Sequence, residues 1–138
     1  MTANRILVDA GPLVALLNEN DAGHAVCAAA AQNLPLPLVT TWLVLAEAAW
    51  LLRRTNEGTL RLLRLLEGRV VECPELDDQA PTWMASCLQR YADLEPQLAD
   101  VSLLYLADRE TIACIFTLDR RDFSVYRNAQ NQPFELVP

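Results

Sequence analysis

Apolar positions in this chain fall in short runs separated by helical stretches. Ile6-Leu7-Val8 is an apolar run that ends in Asp9, and Gly11-Pro12 then suits the first turn of a helix over 13–17. A second helix is predicted from Ala22 to Asn33, with Asp21 as its cap, and Leu34-Pro35-Leu36-Pro37 ends it. Leu38-Val39-Thr40 reads as a strand, Thr41 as the cap of a helix over 42–54, and 59–67 as an amphipathic helix stopped by Gly68. Val70-Val71-Glu72-Cys73 is a third strand. Helical spacing returns over 76–91, with Asp77 and Asp78 in its first turn, and again over 99–110. Ala113 to Leu118 and Phe134 to Val137 supply the last strands. Strands alternating with helices across short links imply an α/β fold whose mostly parallel sheet is covered on both faces.

Composition narrows the class. The 138 residues suit one domain, 1–138, and 52% are hydrophobic, an ordinary globular proportion. No apolar run approaches the roughly 20 residues that span a bilayer, and the start is too short for a secretory signal. A cytoplasmic protein with no membrane partner is therefore expected. Cys27, Cys73, Cys87 and Cys114 are scattered, without a Cys-x-x-Cys pair, and His24 is the single histidine. The cysteines read as core residues in a reducing compartment, His24 as a surface residue, and a Cys/His zinc site is disfavoured.

Charge changes the picture more. The formal net charge is −7, and all 11 basic residues are arginine. Broad electrostatic adhesion to nucleic acid is disfavoured. The lack of lysine removes Schiff-base chemistry, a P-loop, and the lysine that phospho-accepting receivers and haloacid-dehalogenase-like phosphatases set beside their aspartates. A haloacid-dehalogenase-like site also wants an acid at position 11, where the chain has glycine.

The remaining acids suggest a cation site. Asp9 and Asp119 each follow an apolar strand and should emerge at one edge of a parallel sheet, where open α/β folds hold their ligands. Asp100 falls in or just before the first turn of the helix that precedes the second of these strands. Glu47 is the single acid of an otherwise apolar helix; a salt bridge to Arg5 or Arg120 is the alternative to a place in the site. Crowded carboxylates repel unless a proton or a cation enters, and an oxygen-only donor set favours Mg²⁺ or Mn²⁺.

Four segments carry a resemblance: Val-Asp-Ala-Gly-Pro-Leu-Val-Ala-Leu-Leu at 8–17, Thr-Thr-Trp-Leu-Val-Leu-Ala-Glu-Ala-Ala at 40–49, Leu-Ala-Asp-Val-Ser-Leu at 98–103 and Phe-Thr-Leu-Asp-Arg-Arg-Asp-Phe at 116–123. In this order they resemble the PIN-domain family, most of all VapC-like ribonucleases, the toxins of type II toxin–antitoxin pairs. The resemblance implies a three-layer α/β/α sandwich with a sheet of about five strands and metal-dependent hydrolysis of RNA. It implies Asp9, Glu47, Asp100 and Asp119 as the catalytic quartet holding Mg²⁺ or Mn²⁺, with Asp9 and Asp100 as direct ligands. Asp122 and Thr117 are accessory candidates, the threonine orienting Asp119 or a bound water. Arg120 and Arg121, with Arg53 or Arg54, are candidate RNA contacts, although solvated charges are the plainer reading of each. A cognate antitoxin and a homodimer are the implied protein partners, with the leucine-rich helix 59–67 and the apolar side of helix 42–54 as candidate contact faces. Many relatives carry a hydroxyl residue after the first aspartate, whereas this chain has Ala10. The alternatives are a PIN-fold RNA-processing nuclease, or a weakly catalytic binding module, outside any toxin–antitoxin pair.

Overall fold

The computed structural model describes residues 4–138. Its centre is a five-stranded parallel sheet in the order β3-β2-β1-β4-β5: β1 (Ile6–Val8), β2 (Leu38–Val39), β3 (Val71–Glu72), β4 (Cys114–Phe116) and β5 (Glu135–Val137). Register is set by Leu7 opposite both Val39 and Ile115. The middle strands are apolar throughout because helices cover both faces of the sheet, leaving no solvated side to favour alternation. Leu7, Val8, Val39, Ile115 and Phe116 are all fully buried.

The helices are α1 (Ala10–Leu17), α2 (His24–Ala31), α3 (Trp42–Leu51), α4 (Gly58–Glu67), α5 (Ala80–Arg90), α6 (Leu98–Glu110) and α7 (Arg120–Phe123), with a 3-10 turn at Ala92–Leu94. The arrangement is the α/β/α sandwich expected from the sequence. α6 is the central helix, and every residue from Ala99 to Ala107 on it is buried. This position explains why its sequence shows so little amphipathic patterning.

Several boundaries differ from the sequence pattern for identifiable reasons. α3 stops at Leu51, and the Arg53 guanidinium folds back to donate to the Trp50 carbonyl while lying 3.9 Å from the centre of its indole ring. α5 starts at Ala80, because Asp77 accepts from the Gln79 amide and from the side chains of Tyr105 and Arg109, which holds the preceding residues out of the helix. Asp21 does not cap α2: it accepts from the Gly23 amide at 2.8 Å, and Gly23 is the cap residue. His24 is half-buried, its Nδ1 lying 2.7 Å from the Ala15 carbonyl, and so ties α2 to α1. The four cysteines are free thiols, Cys27 and Cys87 fully within the core.

Candidate active site at the carboxyl edge of the sheet

The ends of β1 and β4 deliver the first two acids. Asp9 follows Val8, and its amide still donates to the Phe116 carbonyl at 3.0 Å, so the β1–β4 ladder fixes its backbone. Asp9 stands at the start of α1 without capping that helix through its side chain. Thr117 continues β4, its amide donating to the Val137 carbonyl. The buried Thr117 hydroxyl donates to Asp9 Oδ2 at 2.9 Å and accepts from the Asp119 amide at 3.0 Å. A single hydroxyl thus holds the Asp9 carboxylate against the chain that carries Asp119. The sequence pattern has this hydroxyl orienting Asp119 or a water; in the structure its acceptor is Asp9.

Asp119 caps α7, accepting from the Asp122 amide at 3.2 Å. This four-residue helix, which reads in sequence only as a turn, brings Asp122 back beside Asp119. Asp100 arrives from the first turn of α6. One ligand atom from each of Asp100, Asp119 and Asp122 lies within 4.8 Å of the others. Glu47 comes from α3, whose start is pinned to α6: Thr41 caps α3 through the Val44 amide and lies 2.7 Å from the Ser102 hydroxyl, which donates to the Ala99 carbonyl. Thr41 and Ser102 both fall in the motif segments, and their contact ties the start of α3 to α6, the helices that carry Glu47 and Asp100. Glu47 has neither of the arginine partners considered for it. Arg5 pairs with Glu110 at 3.1 Å, and Arg120 donates to the Pro138 carbonyl at 2.9 Å.

Asp9, Glu47, Asp100, Asp119 and Asp122 line one open cleft of about 560 Å³, together with Gly11, Gln97, Glu95 and the exposed leucines Leu51 and Leu118. Glu95 and Gln97 carry no signal in the sequence, where they sit in an unpatterned loop; Glu95 adopts a left-handed backbone at φ 48°. Arg120 and Arg121 are exposed residues of α7 outside this lining, and Arg54 belongs to a separate depression beside Glu19 and Arg61.

The electrostatics follow from burial and crowding. Asp9 and Asp100 are each 7% exposed. Burial pushes the Asp9 carboxyl above its ordinary value and Asp119 adds to this, against the opposing pull of the Ala10 amide and the Thr117 hydroxyl. Burial likewise raises Glu47, with the Asp9 charge contributing. Asp100 is pushed up to about 7, first by burial and then by Asp9, Asp119, Glu47 and Asp122. Buried Asp9 Oδ1 has no hydrogen-bond partner. A buried carboxylate oxygen left without a donor costs roughly 1–3 kcal/mol, and six acids lining one space without a cationic side chain magnify that cost. The donor set is all oxygen, and within it Asp100, Asp119 and Asp122 lie close enough to share one ion, an arrangement that suits a hard divalent cation.

Comparison with known proteins agrees with this fold. The sequence pattern of the PIN domain matches residues 6–128. The chain is 28% identical over 135 residues to Ribonuclease VapC26 of Mycobacterium tuberculosis (strain ATCC 25618 / H37Rv), an alignment covering 96% of this chain and all of the relative. Among solved structures it resembles Mycobacterium tuberculosis VapC20, described as a Sarcin-Ricin loop cleaving toxin. The TM-score is 0.77 at 21% identity, over 84% of this chain and 91% of that one, a likeness of fold. A match spanning nearly the whole chain, on a sheet that gathers the acids of all four motif segments in one cleft, leaves one assignment: this chain belongs to the PIN domain family.

Proposed function

We propose that the protein is a metal-dependent endoribonuclease and the toxin of a type II toxin–antitoxin module. The observation that carries this reading is the convergence of Asp9, Glu47, Asp100, Asp119 and Asp122, with an orphaned buried carboxylate oxygen on Asp9, in a cleft that no basic side chain lines. Membership of the PIN family and the likeness to a named VapC ribonuclease support it.

Asp9, Asp100, Asp119 and Asp122 would hold Mg²⁺ or Mn²⁺, with Glu47 completing the set directly or through water. When bound, such an ion neutralises phosphate charge and lowers the pKa of a coordinated water. The residues themselves do the positioning. Thr117 fixes the rotamer of Asp9, and the cap made by Asp119 fixes α7 so that Asp122 faces Asp100. Glu47, whose carboxyl is pushed above its ordinary value by burial and by the Asp9 charge, faces the same cleft and is placed to hold or pass a proton there. Leu51 and Leu118 form exposed apolar flanks of the cleft. Arg120 and Arg121, exposed beside Asp119, would meet the RNA backbone.

In this reading an antitoxin segment bearing basic side chains would block the cleft by occupying the place of the cation and the phosphate. A homodimer would cover exposed apolar side chains such as Trp42, Trp50 and Leu51 of α3 and Leu60 and Leu63 of α4. The deciding experiment is cleavage of total RNA with end mapping, by wild type and Asp9→Asn, with Mg²⁺, Mn²⁺ or EDTA. Cleavage that needs the ion and Asp9 is expected. Cleavage in EDTA, or undiminished in Asp9→Asn, would reject the assignment.

A further inference from the structure

A second cavity, of about 430 Å³, lies between α5 and the chain that follows α7. Trp83, Ser86 and Arg90 of α5 form one wall, with Tyr91, Leu104 of α6 and Arg127 completing it. An adjoining space of about 180 Å³ shares Trp83, Arg90, Leu104 and Arg127 and adds the side-chain amides of Asn128 and Asn131, with Asp108. Its chemistry is the opposite of the acidic cleft. In a chain of formal charge −7, two arginines meet here, and among the described residues neither forms an ion pair.

The two cations are held differently, and both ways leave donors free. Arg127 Nη1 donates to three carbonyls, those of Ser124, Val125 and Tyr126, at 2.8–3.0 Å. The guanidinium is therefore immobilised by neutral acceptors, and its charge is not cancelled. Its backbone amide is fixed as well, donating to the Tyr91 hydroxyl at 3.1 Å. Arg90 lies 5.1 Å from the centre of the Tyr91 ring and makes one long bond, 3.4 Å, to Asn131 Oδ1. Trp83 is half-buried, its ring packed edge-on against Tyr105 at 5.5 Å, so the indole has a supporting contact before anything binds. Asn128 Oδ1 accepts from the Gln130 and Gln132 amides, leaving its own amide hydrogens to donate.

Aromatic surface, guanidinium groups free of carboxylate partners and side-chain amides with open donors are the set that single-stranded RNA recognition uses. Rings and Arg planes take bases, amides and carboxylates read base edges, and Arg takes phosphate. The cavity also has a route to the chemistry. Tyr91 lines it, Glu95 lines the acidic cleft, and only the 3-10 turn at Ala92–Leu94 separates them along the chain. We infer that this cavity is a nucleotide subsite, taking a base against Trp83 and Leu104 and its phosphate between Arg90 and Arg127, so that the RNA is held at one nucleotide outside the acidic cleft. The source of the nucleotide rests on the ribonuclease reading; the cavity and its cations do not.

The test is titration of the full chain with 5′-AMP, 5′-GMP, 5′-CMP and 5′-UMP in EDTA, followed by the three indole ¹⁵N–¹H signals. EDTA removes any cation-dependent phosphate binding at the acids. The Trp83 signal should shift saturably while those of Trp42 and Trp50 stay in place. Inorganic phosphate and the nucleosides should each bind more weakly than the nucleotide. Arg90→Ala, at an exposed side chain, should weaken binding about tenfold, as loss of one charge-assisted hydrogen bond does. Ser86→Trp, which fills the cavity, should abolish it, while Arg69→Ala should leave it unchanged. With RNA and Mg²⁺, Arg90→Ala should raise KM and spare kcat. The proposal is overturned if Trp83 does not respond, if phosphate alone binds as well as the nucleotide, or if Arg90→Ala and Ser86→Trp bind like wild type. Metal-dependent cleavage alongside such a result would leave the ribonuclease reading intact. Nucleotide binding here by a protein that cleaves no RNA would uphold the subsite and refute the nuclease.

Discussion

Replacing Asp100 by asparagine should stabilise the metal-free protein, although it removes a proposed ligand. The side chain is 7% exposed, and no protein donor is among the influences on its carboxyl, which is carried from an ordinary 3.8 to about 7. The folded state therefore keeps a proton that the unfolded chain releases, and stability falls as pH rises from about 4 to about 7, then levels off. At about 1.4 kcal/mol per pH unit, this displacement is worth up to about 4 kcal/mol at pH 8. An asparagine side chain has the same shape and no charge, and its amide can donate to the neighbouring carboxylates. Urea unfolding in EDTA, read by tryptophan fluorescence, should give a gain of about 2–4 kcal/mol for Asp100→Asn at pH 8, shrinking to about 1–2 kcal/mol at pH 5. Mg²⁺ or Mn²⁺ at about a thousand times its Kd should cancel or reverse the order, because a cation that binds only the folded state adds about 4.1 kcal/mol to wild type there. The reasoning is refuted if Asp100→Asn is less stable than wild type in EDTA at pH 8, or if its effect is the same at both pH values.

Other outcomes are as specific. Thr117→Val keeps the shape but removes the hydroxyl between Asp9 and Asp119; it should cost about 1–3 kcal/mol in unfolding free energy, and Thr117→Ser should restore RNA cleavage better than stability. Asp9→Asn should lower kcat for RNA by at least about a hundredfold, the loss of several kcal/mol of cation-dependent stabilisation, with an unchanged far-UV circular dichroism spectrum. Tyr126→Phe removes a buried hydroxyl that has no partner; urea unfolding should find it neutral or stabilising by up to about 1 kcal/mol, and a clear loss would mean that the hydroxyl has a role. Leu7→Ala, in the fully buried central strand, should cost about 2–5 kcal/mol, without altering the metal-induced shift in Tm per unit of bound ion.

The local sequence determined the elements and their order. Short apolar runs bounded by turn residues and alternating with helices read as strands of a covered parallel sheet, and once they are parallel, Asp9 and Asp119 must emerge at the same edge. The absence of lysine and the lone histidine had already removed most other chemistries for an aspartate there. Helix ends were less legible. Those of α3 and α5 depend on Arg53 folding onto Trp50 and on Asp77 reaching Tyr105 and Arg109, contacts that cross the fold or close a turn.

The site itself was decided by tertiary structure. Thr117 shows in sequence only that a hydroxyl lies near Asp119; that it donates to Asp9 follows from β1 and β4 being neighbours across 108 residues of chain. Asp122 is in sequence an accessory candidate or a surface acid alike, and it is α7 that folds it beside Asp100 and Asp119. Glu47 could have met an arginine, and only the Thr41–Ser102 contact between α3 and α6 shows which space it faces. Sequence by itself determines which side chains are present and how far apart they lie along the chain. Distance in space, and with it the pKa of Asp100, depends on pairings between segments that no local pattern encodes.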